Sequence, residues 1–382
     1  MSFRYLSAWP SFARGSSSAR LGESMSALVR AYLIPAAVFQ SVIIGGGYGT
    51  GREVVEYVSR LGLYSGLFSC CVIAVLFGLV LAISFAYAQK FHCYDYRRFL
   101  KHLLGRCWFV YEMLFVALLI VVVAVVMSAA ADTAFGGFGI PKPITTAAVL
   151  VAVIVLSFFG RDLVQQIMLG WTSLLMLCIA VFIATGLARS WSGFFEFGVE
   201  QGAGAALLSG SKFAIYNSAL VPVLLYSVRG VNSQRTALAA GLLAGIFGAL
   251  PALLIHLIFS PQLERIIDMS VPTLGALKLL DFGAAVPVFY VVLFGTVVLT
   301  AVGVLQGLAE RIDGWRVEGG LAVMGPINRA AICSMVVLAS VALAQFGIVA
   351  LVAKGYGALS WGFFLVFTVP LLTLGISRVA RR

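Results

Sequence analysis

The chain has 382 residues, of which 61% are apolar and 11% charged, with 40 glycines, 6 cysteines and 3 histidines. An ordinary soluble domain carries about 25% charged residues, so that class is excluded. The net charge of +11 needs no nucleic-acid partner, because an anionic cytoplasmic leaflet attracts basic loops.

Ten stretches of at least 16 residues contain no Asp, Glu, Lys, Arg or His. They are 31–51, 61–89, 113–131, 143–160, 163–188, 213–228, 236–255, 282–309, 330–353 and 355–377. A membrane span needs about 20 mostly apolar residues, so these predict ten transmembrane helices, spans 1 to 10. A β-barrel is excluded, since its segments alternate in polarity and these are apolar on every face. With a cytoplasmic N-terminus, 18 of the 26 basic residues fall on the cytoplasmic side, which predicts an inner-membrane, multi-pass protein with both termini inside. Residues 1–24 hold the serine run Ser16 to Ser18 and no apolar core, so they read as a disordered cytoplasmic tail rather than a signal peptide. Met25 is an alternative to Met1 as the true start, and the transporter domain is expected over 25–382. No cysteine falls in a predicted external loop, and no disulfide framework is implied.

The loop 189–212 divides the spans five and five, and an odd number of spans turns the second half upside down. This is the sequence form of an inverted-topology repeat, with halves 31–188 and 211–377. The first helix of each half carries a break. Span 1 contains Gly45, Gly46, Gly47, Tyr48, Gly49, Thr50 and Gly51, where each glycine costs about 1 kcal/mol of helix relative to Ala. Span 6 contains Tyr216, Asn217 and Ser218 ahead of Pro222, whose ring clashes with the Ser218 carbonyl it cannot donate to. Asn217 or Ser218 can cap the helix beyond the break. Unwound backbone in hydrocarbon is tolerated only where protein, water or a ligand satisfies it, so two facing breaks make a candidate solute site.

Glu53 has two readings. Thr50 followed three residues later by Glu53 is a capping-box pattern; equally, a carboxylate at membrane depth suits a coupling proton, a cation or a cationic substrate group. Arg52 and Glu56 stand at i,i+4 and pair most simply with each other. The carbonyls around Ile43, Ile44, Gly45 and Gly46 suit a cation, and the amides around Gly49 to Gly51 suit an anion. Thr296 and Thr300, one turn apart on span 8, could add hydroxyl ligands for sodium or instead back-bond to the carbonyl four residues earlier. His256 is the lone histidine within a span and reads as an interhelical hydrogen-bonding group; no metal-ligand spacing accompanies it. There is no GxSxG, HExxH or GxxxxGK motif, so neither an enzyme nor a resident cofactor is predicted.

The stretch GGGYGTGREVVEYVSRLG, Gly45 to Gly62, resembles the first broken helix of the YkvI-type membrane proteins of the amino acid-polyamine-organocation superfamily. The matching positions are Gly45, Gly47, Tyr48, Gly51, Glu53 and Tyr57; Arg52 departs from the pattern's usual Gln. Val271, Pro272, Thr273 and Leu274 resemble that family's lid segment within the loop 260–281. The resemblance implies a LeuT-like fold of two inverted five-helix repeats with helices 1 and 6 interrupted and a substrate site between helices 1, 3, 6 and 8. It further implies coupling to sodium or protons and an amino-acid-like or other small nitrogenous substrate. The expectation is therefore an all-α secondary transporter in membrane lipid, working by alternating access on a small polar solute. Its rival is a non-transporting membrane scaffold or sensor on the same fold. Oligomeric state is not legible in the sequence.

Overall fold

The computed structural model describes residues 29–43, 48–158, 161–190, 200–283 and 285–381. The expected tail, together with Ile44, Gly45, Gly46 and Gly47, lies outside the described residues. Among the described residues six continuous helices are long and apolar enough to cross a bilayer. The chain is a multi-pass helical membrane protein.

In chain order, a short π-turn (Val29–Leu33) leads into α1 (Ile34–Ile43). After the glycine run come α2 (Arg52–Tyr57) and the long α3 (Leu63–Phe91). A short helix, α4 (Tyr96–Leu104), starts at Asp95, whose side chain accepts from the Arg97 and Arg98 amides. Then follow α5 (Trp108–Phe138), α6 (Lys142–Phe158), α7 (Arg161–Ser190), α8 (Ala203–Ser218) and the one-turn α9 (Val221–Leu224). Next, α10 (Gln234–Phe259) leads to two short helices, α11 (Leu263–Ile266) and α12 (Pro272–Leu279), in the segment expected to form a lid. The chain ends in α13 (Ala285–Glu318), α14 (Pro326–Ala344) and α15 (Gly347–Ala380), the last alternating α and π turns.

Two groups of helices pack internally. α3 lies along α10 and α8, and α1 lies on α10; α5 lies against α13, α14 and α6, and α14 against α6. The α3–α10 contact is backbone against backbone: a Cβ on Gly245 would stand 2.2 Å from the Gly78 nitrogen, and one on Gly241 2.3 Å from Ala82 Cα. Small residues four apart on both helices permit this approach, which is how helices associate in lipid, where apolar burial gives no net drive.

The chain breaks where Pro222 predicts it. α8 stops at Ser218, a turn covers Ala219 and Leu220, and Pro222 sits in the first turn of α9. The Val223 amide bonds to Leu220 O at 3.1 Å, and the Ala219 carbonyl receives the Tyr111 hydroxyl of α5 at 2.5 Å. The expected cap does not form. Leu220 occupies the N-cap position with no side-chain bond, while the Asn217 amide turns back to Phe213 O at 3.0 Å.

Candidate functional site

The second part of span 1 starts again at Gly51, whose φ of 74° is left-handed and whose amide bonds to Tyr48 O at 3.0 Å. A Cβ there would lie 2.6 Å from Thr273 Oγ1 on α12 and 2.7 Å from Phe259 Cζ at the end of α10. Conformation and close approach both demand glycine. The Arg52 amide points at the Thr50 hydroxyl, 3.4 Å away. The anticipated capping box is absent, because α2 begins at Gly51 with no side chain capping it. The Glu53 carboxylate instead receives the Tyr216 hydroxyl from α8.

That bond joins the two interrupted helices. Glu53 is 6% exposed and Tyr216 4%, so the pair is closed off from bulk solvent. Aromatic rings surround it. Tyr216 stacks on Tyr356 of α15 with centroids 4.6 Å apart, and Tyr57 and Phe213 lie 5.8 and 5.6 Å from the Tyr216 ring. Tyr48 closes on Phe213 at 5.8 Å and donates to Gly248 O of α10 at 3.2 Å. Tyr57, one turn after Glu53, donates to Val352 O at 2.7 Å. Ser218, expected at the site, is buried, and its hydroxyl has no partner among the described residues.

Of the other expected site residues, Ile43 is buried at the end of α1, where it faces Gly248. Gly49 is set against Leu293 of α13, 3.2 Å from where its Cβ would be. Thr296 lies three residues further along α13, and its hydroxyl donates to Val292 O at 2.7 Å; Thr300 does the same to Thr296 O at 2.8 Å. Both hydroxyl protons are thus spent on their own helix, leaving only oxygen lone pairs for a cation.

Arg52 turns away from this cluster. Its guanidinium, 1% exposed, donates to Ile267 O at 2.5 Å and Met269 O at 3.3 Å in the 260–281 segment, and to Glu56 at 3.0 Å. The expected Arg52–Glu56 pair is present, with Arg60 on the other carboxylate oxygen at 2.6 Å. His256 is an interhelical group as expected, 3.1 Å from Ser59 Oγ and 3.1 Å from Leu63 O.

At the opposite end of the bundle is a cleft of about 1080 Å³ lined by Tyr96, Lys101, Val223, Arg311 and Glu318. Beside it, fully buried Glu112 receives the Tyr96 hydroxyl and pairs with Arg311 at 3.1 Å. The Arg311 guanidinium lies over the Tyr96 and Phe115 rings. Sequence reading missed this cluster and the Phe213 and Tyr356 rings. Glu112 and Arg311 stand just outside charge-free runs, where they read only as span boundaries.

No protein-family model and no curated protein sequence matches the chain. Among solved structures, it is similar to the Eremococcus coleocola manganese transporter in complex with an aromatic bis-isothiourea compound: 13% identity over 97% of this chain and 83% of that one, TM-score 0.52. A variant of that transporter gives 13% identity, 96% and 82% coverage, and a TM-score of 0.55. A Na+-coupled sialic acid symporter in a substrate-bound outward-open state gives 12% identity, 92% and 86% coverage, and a TM-score of 0.43. The manganese transporter and this chain share a fold over most of both lengths.

Proposed function

We propose that the chain is a secondary active transporter that moves a small polar or nitrogenous solute across the cytoplasmic membrane by alternating access, coupled to sodium or protons. The carrying observation is the meeting of Glu53 and Tyr216, one from each interrupted helix, in a buried aromatic cluster. A broken helix in lipid leaves polar groups that protein or a ligand must satisfy, and transporters use such breaks to build solute sites. The grouping of α1, α3, α8 and α10 apart from α5, α6, α13 and α14 supports two bodies that rock against each other. On this reading ten spans form a LeuT-like 5+5 inverted repeat, 31–188 and 211–377, within the domain 25–382. Both termini are cytoplasmic, and the segment 260–281 covers the outer mouth. The fold shared with a manganese transporter supports a transporter over an enzyme.

The test is uptake into proteoliposomes under imposed sodium and proton gradients. Saturable, gradient-dependent uptake is expected. In the proton-coupled case Glu53→Gln retains solute exchange and loses pH-driven accumulation; accumulation at the wild-type level removes Glu53 from coupling. Uptake that stays linear with concentration and indifferent to both gradients rejects the transporter reading.

A further inference from the structure

Resting on the reading of this buried cluster as the solute site, we infer that it takes an organic ammonium ion without a carboxylate, and discriminates against amino acids. The first ground is charge. Glu53 is a buried acid, and among the described residues no basic side chain pairs with it. The two terminal nitrogens of Arg52, the adjacent cation, are engaged by the Ile267 and Met269 carbonyls and by Glu56. The second ground is the state of the backbone donors. Of the amides that open α2, which an amino acid's carboxylate would use, the Gly51 amide is bonded to Tyr48 O and the Arg52 amide is directed at Thr50 Oγ1. The acid beside them opposes a second anion as well. α8 also ends at Ser218, two residues after Tyr216, so its C-terminal dipole brings partial negative charge to the break of span 6.

The walls decide between kinds of cation. Tyr57, Tyr216, Tyr356 and Phe213 present ring carbon, and their π-systems attract an ammonium group most strongly where water is excluded. A hard divalent ion wants six or more oxygen ligands, and no group of three His, Cys, Asp or Glu exists among the described residues. In this structure the Tyr216 hydroxyl occupies the carboxylate as its hydrogen-bond donor. The ligand's N–H replaces that donor on Glu53 and settles against the rings.

The test measures calorimetric affinity of the full chain in lipid nanodiscs for phenethylamine, phenylalanine, 3-phenylpropionate, manganese chloride and sodium chloride. Phenethylamine is expected to bind at least about tenfold tighter than phenylalanine, with no measurable binding of 3-phenylpropionate. Glu53→Gln should weaken the amine at least about tenfold. Tyr356→Phe, which keeps the ring, should bind as wild type, whereas Tyr356→Leu should lose about tenfold or more. This pair carries the test where Glu53→Gln does not fold. Phenylalanine or manganese binding more tightly than the amine, or an unchanged affinity in Tyr356→Leu, overturns the substrate class while leaving a transporter standing. Silence from every probe, together with gradient-independent uptake, overturns both readings.

Discussion

Gly51 carries two constraints at once, and each has its own cost. A side chain at φ 74° costs about 1–2 kcal/mol, and overpacking against Thr273 and Phe259 adds about 1–3 kcal/mol. Gly139 separates the two, because its φ is 67° and nothing lies within 4 Å of where a Cβ would be. Thermal unfolding in detergent should therefore show Gly51→Ala losing clearly more stability than Gly139→Ala. Equal losses would mean that Thr273 and Phe259 give way freely. The glycine-rich break was legible as composition, but which glycine is obligatory depends on Thr273 and Phe259, more than 200 positions away. Glu53 shows the same limit. The Thr50–Glu53 spacing is a valid local pattern, and only the tertiary placement of Tyr216 draws the carboxylate out of it.

At the scale of elements, helices and the break at Pro222 were readable because apolar length and proline chemistry are local. What fastens the elements was not. Glu200, ahead of α8, caps a different helix: its carboxylate accepts from the Tyr64 amide at 2.9 Å and the Ser65 amide at 2.8 Å, at the start of α3. Burial alone would push the Glu200 carboxyl up, but these amides together hold it below the usual carboxylate range. A depressed carboxyl contributes stability above its unfolded value, near 4.5, and loses it as pH falls through the lower folded value. Glu200→Gln should unfold at lower temperature than wild type at pH 7, by the equivalent of about 1 kcal/mol for a lost cap. That gap should hold down to pH 4.5 and close below it. A gap independent of pH across the whole titration would show that the ionised form contributes nothing.

For the whole molecule, the two ends of the bundle differ. Near the lid segment Arg52 ties α2 to Ile267 O and Met269 O, and Gly51 fits under Thr273. At the other end the cleft beside Glu112 and Arg311 stands open. The charge distribution predicts a sidedness and the 260–281 segment suggests a lid, yet the Arg52 contacts to that segment were hidden because Arg52 had an adequate local partner in Glu56. Hydrogen bonds from a charged donor contribute about 1.5–3 kcal/mol, so these contacts should dominate local opening of α11 and α12. Arg52→Gln shortens the donor and removes its charge. Hydrogen–deuterium exchange should then quicken about tenfold or more across 263–279, while α3 and α10, joined through Gly78, Ala82, Gly241 and Gly245, keep their protection. Faster exchange everywhere would mean global destabilisation. Unchanged exchange across 263–279 would mean that the packing of α12 on α13, not Arg52, holds this segment in place.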